Sequence, residues 1–467
     1  MKKKFNRRSI FKVAKVDLTL SNEEFYERYG HKKTVAFYTL GCKVNQYETE
    51  VMAELFKKAG YEVVDFNEKA DVYIINTCTV TNRSDMKSRQ EIRKARKKNP
   101  DALVVAVGCY VQVSPAEVFS LPEVDIAIGT KDKDKIVDLV EEFTQKSQKL
   151  SVVNNIMTQK EYEEFGVTAY TERTRAYIKI QDGCNQYCTY CIIPYARGPV
   201  RSREPEKVIE EVKRFADSGY KEIVLTGIHI ASYGKDLKNI GLLGIIKMIH
   251  EIDGIKRIRL SSIEPTFLTE EFVKEIANLP KMCRHYHVSL QSGCDETLKR
   301  MGRRYTTKEY KSVIDRLREY IKDVAITTDV MVGFPGETEE EFLKTYKFVE
   351  EICFSKMHVF KYSRRKGTRA YNFPNQVANH VKEDRSKKLI ELSNRCERKF
   401  MESYIGKTLE VLFEQPVKNM DSYVEGLTDN YLSVAVKGHI QLLRNKIFPV
   451  KIKEIKDNFL IGEIEGI

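Results

Sequence analysis

Three cysteines fall within eight residues in the run Cys184-Asn185-Gln186-Tyr187-Cys188-Thr189-Tyr190-Cys191. Three thiolates so close together select a soft metal, either zinc or an iron-sulfur cluster. A structural zinc site takes four ligands, commonly as two close pairs, and no partner Cys or His pair lies nearby in the sequence. Three ligands leave one corner of a cubane cluster open. An iron without a protein ligand can chelate the amino and carboxylate groups of S-adenosylmethionine, and electron transfer from the cluster then cleaves the sulfonium to a 5′-deoxyadenosyl radical. Buried free thiols and a zinc site are the competing readings of the same motif.

A second set, Cys42, Cys78 and Cys109, is spread over the first part of the chain, each about thirty residues from the next. Taken alone these could be ordinary core thiols, since Cys is often buried. The elements that carry them argue otherwise. Residues 34–40 read as a buried strand closed by Gly41-Cys42, followed by a helix over 46–59 with Gly60 as its stop. The pattern repeats with a strand at 71–76 before Cys78, a basic helix over 87–98 ended by Asn99-Pro100, and a strand at 103–107 before Gly108-Cys109. Alternating strands and helices make a parallel α/β sheet, whose ligand crevice lies at the carboxyl ends of its strands. The three thiols are therefore expected to converge.

Residues 144–174 are polar and without clear period, as a linker would be. A second α/β series follows, with strands expected at 176–181, 223–228, 258–263, 285–290, 325–332 and 357–362. Six strands fall short of the eight that close a barrel, so an open, partial (β/α)6 barrel is expected. Beyond Tyr404 short alternating strands separated by turn signals at Asp429-Asn430 and Asp457-Asn458 indicate a small β-barrel.

At 467 residues the chain has room for two to four domains. No apolar run approaches the ~20 residues of a membrane span, and no secretory leader follows the basic first residues. Ten cysteines in so long a chain are too few for a disulfide scaffold, which points to the cytoplasm and to thiols free for metal. Residues 1–33 carry 10 basic and 4 acidic groups, 151–401 carry 44 and 35, and 402–467 carry 8 and 10. The net charge of +12 thus sits in the amino-terminal extension and the middle of the chain.

The words Gly41-Cys42-Lys43-Val44-Asn45-Gln46, Asn76-Thr77-Cys78-Thr79-Val80-Thr81 and Gly108-Cys109-Tyr110, with the run from Gly183 to Gly198, closely resemble the methylthiotransferase family of radical S-adenosylmethionine enzymes from residue 34 onward. The resemblance implies a basic extension at 1–33, an amino-terminal domain with an auxiliary cluster at 34–143, a linker at 144–174, a radical domain at 175–402 and a TRAM-like barrel at 403–467. Cys42-Lys43-Val44-Asn45-Gln46-Tyr47-Glu48 and Thr79-Val80-Thr81-Asn82-Arg83-Ser84-Asp85 look like the branch that acts on N6-threonylcarbamoyladenosine in tRNA. The isopentenyladenosine branch, which tends to have Gln-Met-Asn after its first Cys, is the alternative; a zinc-containing RNA-binding protein without catalysis is the alternative of another class.

For this family the reaction converts C–H to C–S at C2 of adenosine 37. The implied cofactors are two [4Fe-4S] clusters, one on Cys184, Cys188 and Cys191 and one on Cys42, Cys78 and Cys109, with S-adenosylmethionine as both methyl donor and radical source. A sulfur donor and an electron donor, both unidentified, are required, and no membrane is. Tyr190 is the aromatic residue usual before the last Cys. Thr226 and Gly227, Ser261 and Glu264, Gln291, and Asp329 and Gly333 fall at successive strand ends suited to the cofactor. Arg89, Arg93 and Lys97, then Arg303 and Arg304, then Arg364 and Arg365 are the basic groups expected to meet the phosphates of the anticodon arm.

Overall fold

The computed structural model describes residues 16–146, 148–164 and 174–466. Residues 1–15 of the basic extension and residues 147 and 165–173 of the expected linker lie outside the described residues. Those that are described fall into two compact units. The first is built from residues up to 159 with 163–164 and 192–199, the second from 160–162, 174–191 and 200–466.

The first unit is a six-stranded sheet of β1 (Thr34–Thr39), β2 (Glu62–Val64), β3 (Val72–Thr77), β4 (Leu103–Gly108), β5 (Ile126–Ile128) and β6 (Leu150–Val152). The strands are all parallel, in the order β2-β1-β3-β4-β5-β6. Every residue of β3 and β4 is buried, because helices cover both faces of a parallel sheet. Val72, Ile74, Leu103, Val105 and Val107 pack on one face; Tyr73, Ile75, Val104 and Ala106 pack on the other. The strand order reverses between β1 and β3, which places a crevice at their carboxyl ends.

Two readings of the sequence change here. The extension is not a bare basic tail in its described part: α1 (Asn22–Tyr29) starts at a reciprocal Ser21/Glu24 cap and ends at Gly30 in the left-handed region. Its Phe25, with Leu18, joins the core of the first unit, and Lys33 Nζ donates to Leu18 O at 2.8 Å. The Ser21-Asn22-Glu23-Glu24 capping box was the signal, overshadowed by charge. Within the expected linker, Leu150–Val152 forms the edge strand β6 against β5. Three residues are too few to show a period.

The second unit carries β7 (Arg175–Asp182), a short antiparallel β8 (Arg201–Ser202), β9 (Glu222–Gly227), β10 (Arg257–Leu260), β11 (His285–His287), β12 (Ala325–Val332) and β13 (Lys356–Lys361). They form sheets β10-β9-β7-β8 and β11-β12-β13, joined by single parallel bridges Ile258 to Met282 and Ile263 to Val288. The six expected strands are all present. A long helix, Asn379–Glu402, leads into a closed barrel of β14 (Thr408–Pro416), β15 (Tyr423–Thr428), β16 (Ser433–Lys437), β17 (Ile447–Lys456) and β18 (Phe459–Ile464), ordered β14-β15-β16-β18-β17.

This small barrel docks on the amino-terminal ends of the larger sheet's strands. Arg175 pairs with Glu414, Arg257 donates to the carbonyls of Leu427 and Glu410, and Arg259 donates to those of Thr428 and Asp429. Arg284 grips Asp429 at 2.6 Å, and Tyr431 stacks on His285 with ring centroids 4.4 Å apart. Glu222, fully buried, accepts both ends of the Arg259 fork. Part of the positive charge of the middle segment is therefore consumed internally, at the end of the sheet opposite the cysteines. Among the described residues no helix is long and apolar enough to cross a membrane.

Candidate functional site

In the first unit each cysteine follows a strand and begins or precedes a helix. Cys42 caps α2 (Lys43–Lys58), Cys78 precedes α3 (Asn82–Lys98), and Cys109 opens α4 (Cys109–Val113). Cys42 and Cys78 thus flank the β1/β3 reversal, with Cys109 on the next strand. Gly41 has φ +101, and a Cβ there would lie 2.9 Å from both Cβ and Sγ of Cys78. Gly108 has φ +103, and a Cβ there would lie 2.7 Å from Asn76 Oδ1. Both positions need glycine, for conformation and for space.

Beneath the thiols lies a charged network with no exposure. Glu48 of α2 accepts from Arg197 at both carboxylate oxygens and from Lys133 Nζ at 2.5 Å, and all three side chains are 0% exposed. Arg197 also donates to Asn45 Oδ1 at 2.6 Å and, through Nε, to Cys109 Sγ at 3.2 Å. Asn45 in turn donates to the carbonyls of Leu40 and Thr77, tying the ends of β1 and β3 together. Burial pushes the Cys78 thiol up to about 11 and raises that of Cys109, where Arg197 opposes the effect. A bound metal would supply the deprotonation.

In the second unit the loop after β7 is fixed by its backbone. Gln181 spans it, donating to the carbonyls of Asp182 and Gly183 and accepting from the His229 amide at 2.7 Å. Thr189 donates to the carbonyl of Met301 at 2.9 Å through its amide and to that of Arg300 through its hydroxyl. Arg303 donates to Cys188 Sγ at 3.4 Å and grips Glu264 at 2.9 and 3.0 Å. Burial alone would raise the Glu264 carboxyl, but His229 and Arg303 hold it below its ordinary range. Burial lifts the Cys184 thiol to about 11.

Most expected cofactor positions do follow strand ends. Thr226 is buried, and a Cβ on Gly227 would come within 2.9 Å of Gln181. Ser261 Oγ is buried without a hydrogen-bond partner, an unspent polar atom at the end of β10 that fits a ligand group. Gln291 takes φ +71 and Asp329 sits 3.2 Å from His287 Nε2. Tyr190 packs edge-on against Phe334, its ring centroid 6.4 Å away. Gly333 differs from expectation: the space its Cβ would take is filled by the Lys382 stem at 2.3 Å, and its amide donates to Glu337. The glycine admits a helix there.

The basic groups divide. Arg93, Lys97, Arg304 and Arg364 are exposed. Arg304 lines a cavity of about 200 Å³ with Asn185, Gln186, Ser232 and Lys235. Arg89 is engaged by Tyr110 and Glu117. The Arg303 side chain is only 6% exposed, held on Glu264 and Cys188, and Arg365 is buried, so the expectation that they meet RNA phosphates is corrected. A basic residue in a polar loop gives no hint that a buried carboxylate awaits it. Arg197, Glu48, Lys133 and His229 were missed altogether; the one available signal was Asn45 and Glu48 on the same face of α2 as Val44, Tyr47 and Val51.

Three cysteines in each unit are a donor set of the kind that leaves one iron of a cluster open. Among the described residues no three His, Cys, Asp or Glu side chains are grouped for a single metal ion.

Comparison with known proteins agrees with this division. The radical SAM superfamily model matches residues 178–349, the uncharacterized protein family UPF0004 matches 34–129, and the TRAM domain matches 402–464. The chain is 47% identical over 422 residues, 90% of its length and 93% of the relative's, to the threonylcarbamoyladenosine tRNA methylthiotransferase MtaB of Bacillus subtilis. It is 42% identical to the protein of that name from Aquifex aeolicus, over 87% of this chain and 97% of the relative. The fold is similar to that of a radical S-adenosylmethionine methyltransferase, TsrM from Kitasatospora setae, with a TM-score of 0.53 at 17% identity over 71% of this chain and 75% of that one.

Proposed function

Because this chain belongs to the threonylcarbamoyladenosine tRNA methylthiotransferases of the MtaB type, we propose that its two thiol triads hold two clusters with separate tasks in a single reaction. It is a radical S-adenosylmethionine enzyme that methylthiolates C2 of N6-threonylcarbamoyladenosine at position 37 of tRNA. When bound, the clusters and S-adenosylmethionine supply a radical able to remove an unactivated hydrogen and the sulfur that replaces it.

The observation that carries the two-cluster reading is the placement of Cys42, Cys78 and Cys109 at the ends of β1, β3 and β4, around the strand-order reversal. The chain's own residues hold, orient and enclose. Gln181, Thr189 and Arg303 fix the Cys184–Cys191 loop. Thr226, Gly227, Ser261, Glu264, Gln291 and Asp329 are the residues we assign to the S-adenosylmethionine site, with Ser261 Oγ as the free hydrogen-bonding atom. Tyr190 packs against Phe334 and holds the loop down.

For the substrate, the exposed Arg93, Lys97, Arg304 and Arg364 supply phosphate contacts, and Arg89 a weaker one because Glu117 competes for it. The modified base must leave its stack to be reached. We assign the work to the cytoplasm, with a sulfur donor and a reductant still to be identified, and the domains to 34–143, 175–402 and 403–467. Nucleoside mass spectrometry of tRNA from cells lacking the protein tests the reading. Loss of the methylthio group from threonylcarbamoyladenosine alone is expected; loss from isopentenyladenosine instead would overturn it.

A further inference from the structure

Strands β11, β12 and β13 run parallel and adjacent in that order, so alternate residues of each share a face. One face is covered. Thr328 points to it: its hydroxyl donates to the Val288 carbonyl at 2.6 Å and meets the hydroxyl of Tyr310, on the helix Thr307–Tyr320. The opposite face carries Thr327, Asp329 and Met331, and Met331 packs in one apolar cluster with Tyr190 of the cysteine run. That face is turned toward the radical-cluster loop.

Two histidines stand on it. His287 is in register with Thr327 and His358 with Asp329, and their rings stack with centroids 6.0 Å apart. The Thr327 hydroxyl, 3.0 Å from His287 Nδ1, fixes the first ring. Its Nε2, 3.2 Å from Asp329 Oδ2, is buried without an aligned hydrogen bond. His358 is exposed, and Phe360, two residues further along the same face, is 47% exposed. Both imidazoles thus lie beside a residue assigned to the cofactor, on the strand that ends the sheet, and neither is used by the cluster or cofactor assignments.

The substrate's chemistry supplies a use for them. In adenine only N1 and C6 separate C2 from N6, so whatever is attached to N6 lies beside the carbon that reacts. A threonylcarbamoyl group presents a carboxylate, a hydroxyl and a carbamoyl oxygen; an isopentenyl group presents only carbon. A pocket built to hydrogen-bond such groups discriminates steeply against an analogue that lacks them, because its own polar atoms are then left unpaired.

We propose that His287 and His358 read the threonylcarbamoyl group: His358 donates an N–H to its carboxylate, and His287, fixed by Thr327, offers Nε2 to its hydroxyl. The pair is specificity-determining for the methylthiolation. This rests on the reading of threonylcarbamoyladenosine as the substrate.

The test compares the affinity of the holoenzyme for one tRNA prepared with and without the threonylcarbamoyl group. The parent should prefer the tRNA carrying the group by about 10- to 100-fold, the worth of a hydrogen bond to a charged group. His358→Phe keeps an aromatic ring and removes the donor, and it should bring the ratio of affinities close to one. His358→Gln restores a donor and should recover most of the preference. If His358→Phe binds neither tRNA, His287→Phe decides by the same ratio, which should again fall. A parent without preference, or a preference kept at the parent's level in the Phe variants, overturns the proposal. Failure of the underlying reading looks different: the parent itself would then methylthiolate tRNA carrying isopentenyladenosine and leave threonylcarbamoyladenosine untouched.

Discussion

Cys184, Cys188 and Cys191 come from one loop after a single strand, whereas Cys42, Cys78 and Cys109 come from three strands about thirty residues apart. The first triad has a nearly balanced electrostatic partner, Arg303 paired with Glu264 and that carboxylate flanked by His229. The second lies over a buried carboxylate, Glu48, that accepts from both Arg197 and Lys133. A triad assembled across a sheet needs glycines to let the strand ends approach and a side chain, Asn45, to join them. The two sites should therefore fail in different ways when damaged.

The largest contrast is in iron and turnover. Reconstituted protein should hold about eight irons, and Ala at any one of the six cysteines should reduce this to about four. Next comes Gly41→Ala, which combines a left-handed φ with a clash at Cys78 and should cost about 1–3 kcal/mol. It should lower iron at the first unit alone, as measured in the background lacking the Cys184 triad. Arg303→Met leaves Glu264 buried without its cation and should cost about 3 kcal/mol, read from the urea midpoint. The smallest effect is at the surface. Arg304→Ala should change stability by less than about 0.5 kcal/mol and flatten the salt dependence of tRNA binding by about one unit. If Arg304→Ala destabilised the protein as much as Arg303→Met, the division into buried and RNA-facing arginines would be wrong.

The contiguous cysteine run was legible because its spacing is the chemistry. The dispersed triad was legible through topology: apolar runs at 71–76 and 103–107 mark central parallel strands, and parallel strands put their ends together. All six strands of the partial barrel could be read from period, and the small terminal barrel from turn signals, although its strand Tyr423–Thr428 was not among those read. What stayed hidden depends on pairs distant in sequence. Arg197 meets Glu48 across 149 positions and Arg303 meets Glu264 across 39, and no local pattern announces either. The seating of the small barrel on Arg175, Arg257, Arg259 and Arg284 was hidden for the same reason. The helix Asn22–Tyr29 was a local signal passed over because the surrounding charge was read first.

The most direct test of two triads with separate tasks is one reaction mixture, in which the Cys78→Ala variant meets S-adenosylmethionine, a reductant and tRNA bearing threonylcarbamoyladenosine. Both 5′-deoxyadenosine and the methylthiolated nucleoside are quantified. The account predicts continued formation of 5′-deoxyadenosine with no methylthiolated product. Full methylthiolation by this variant, or loss of cofactor cleavage along with it, would contradict the assignment.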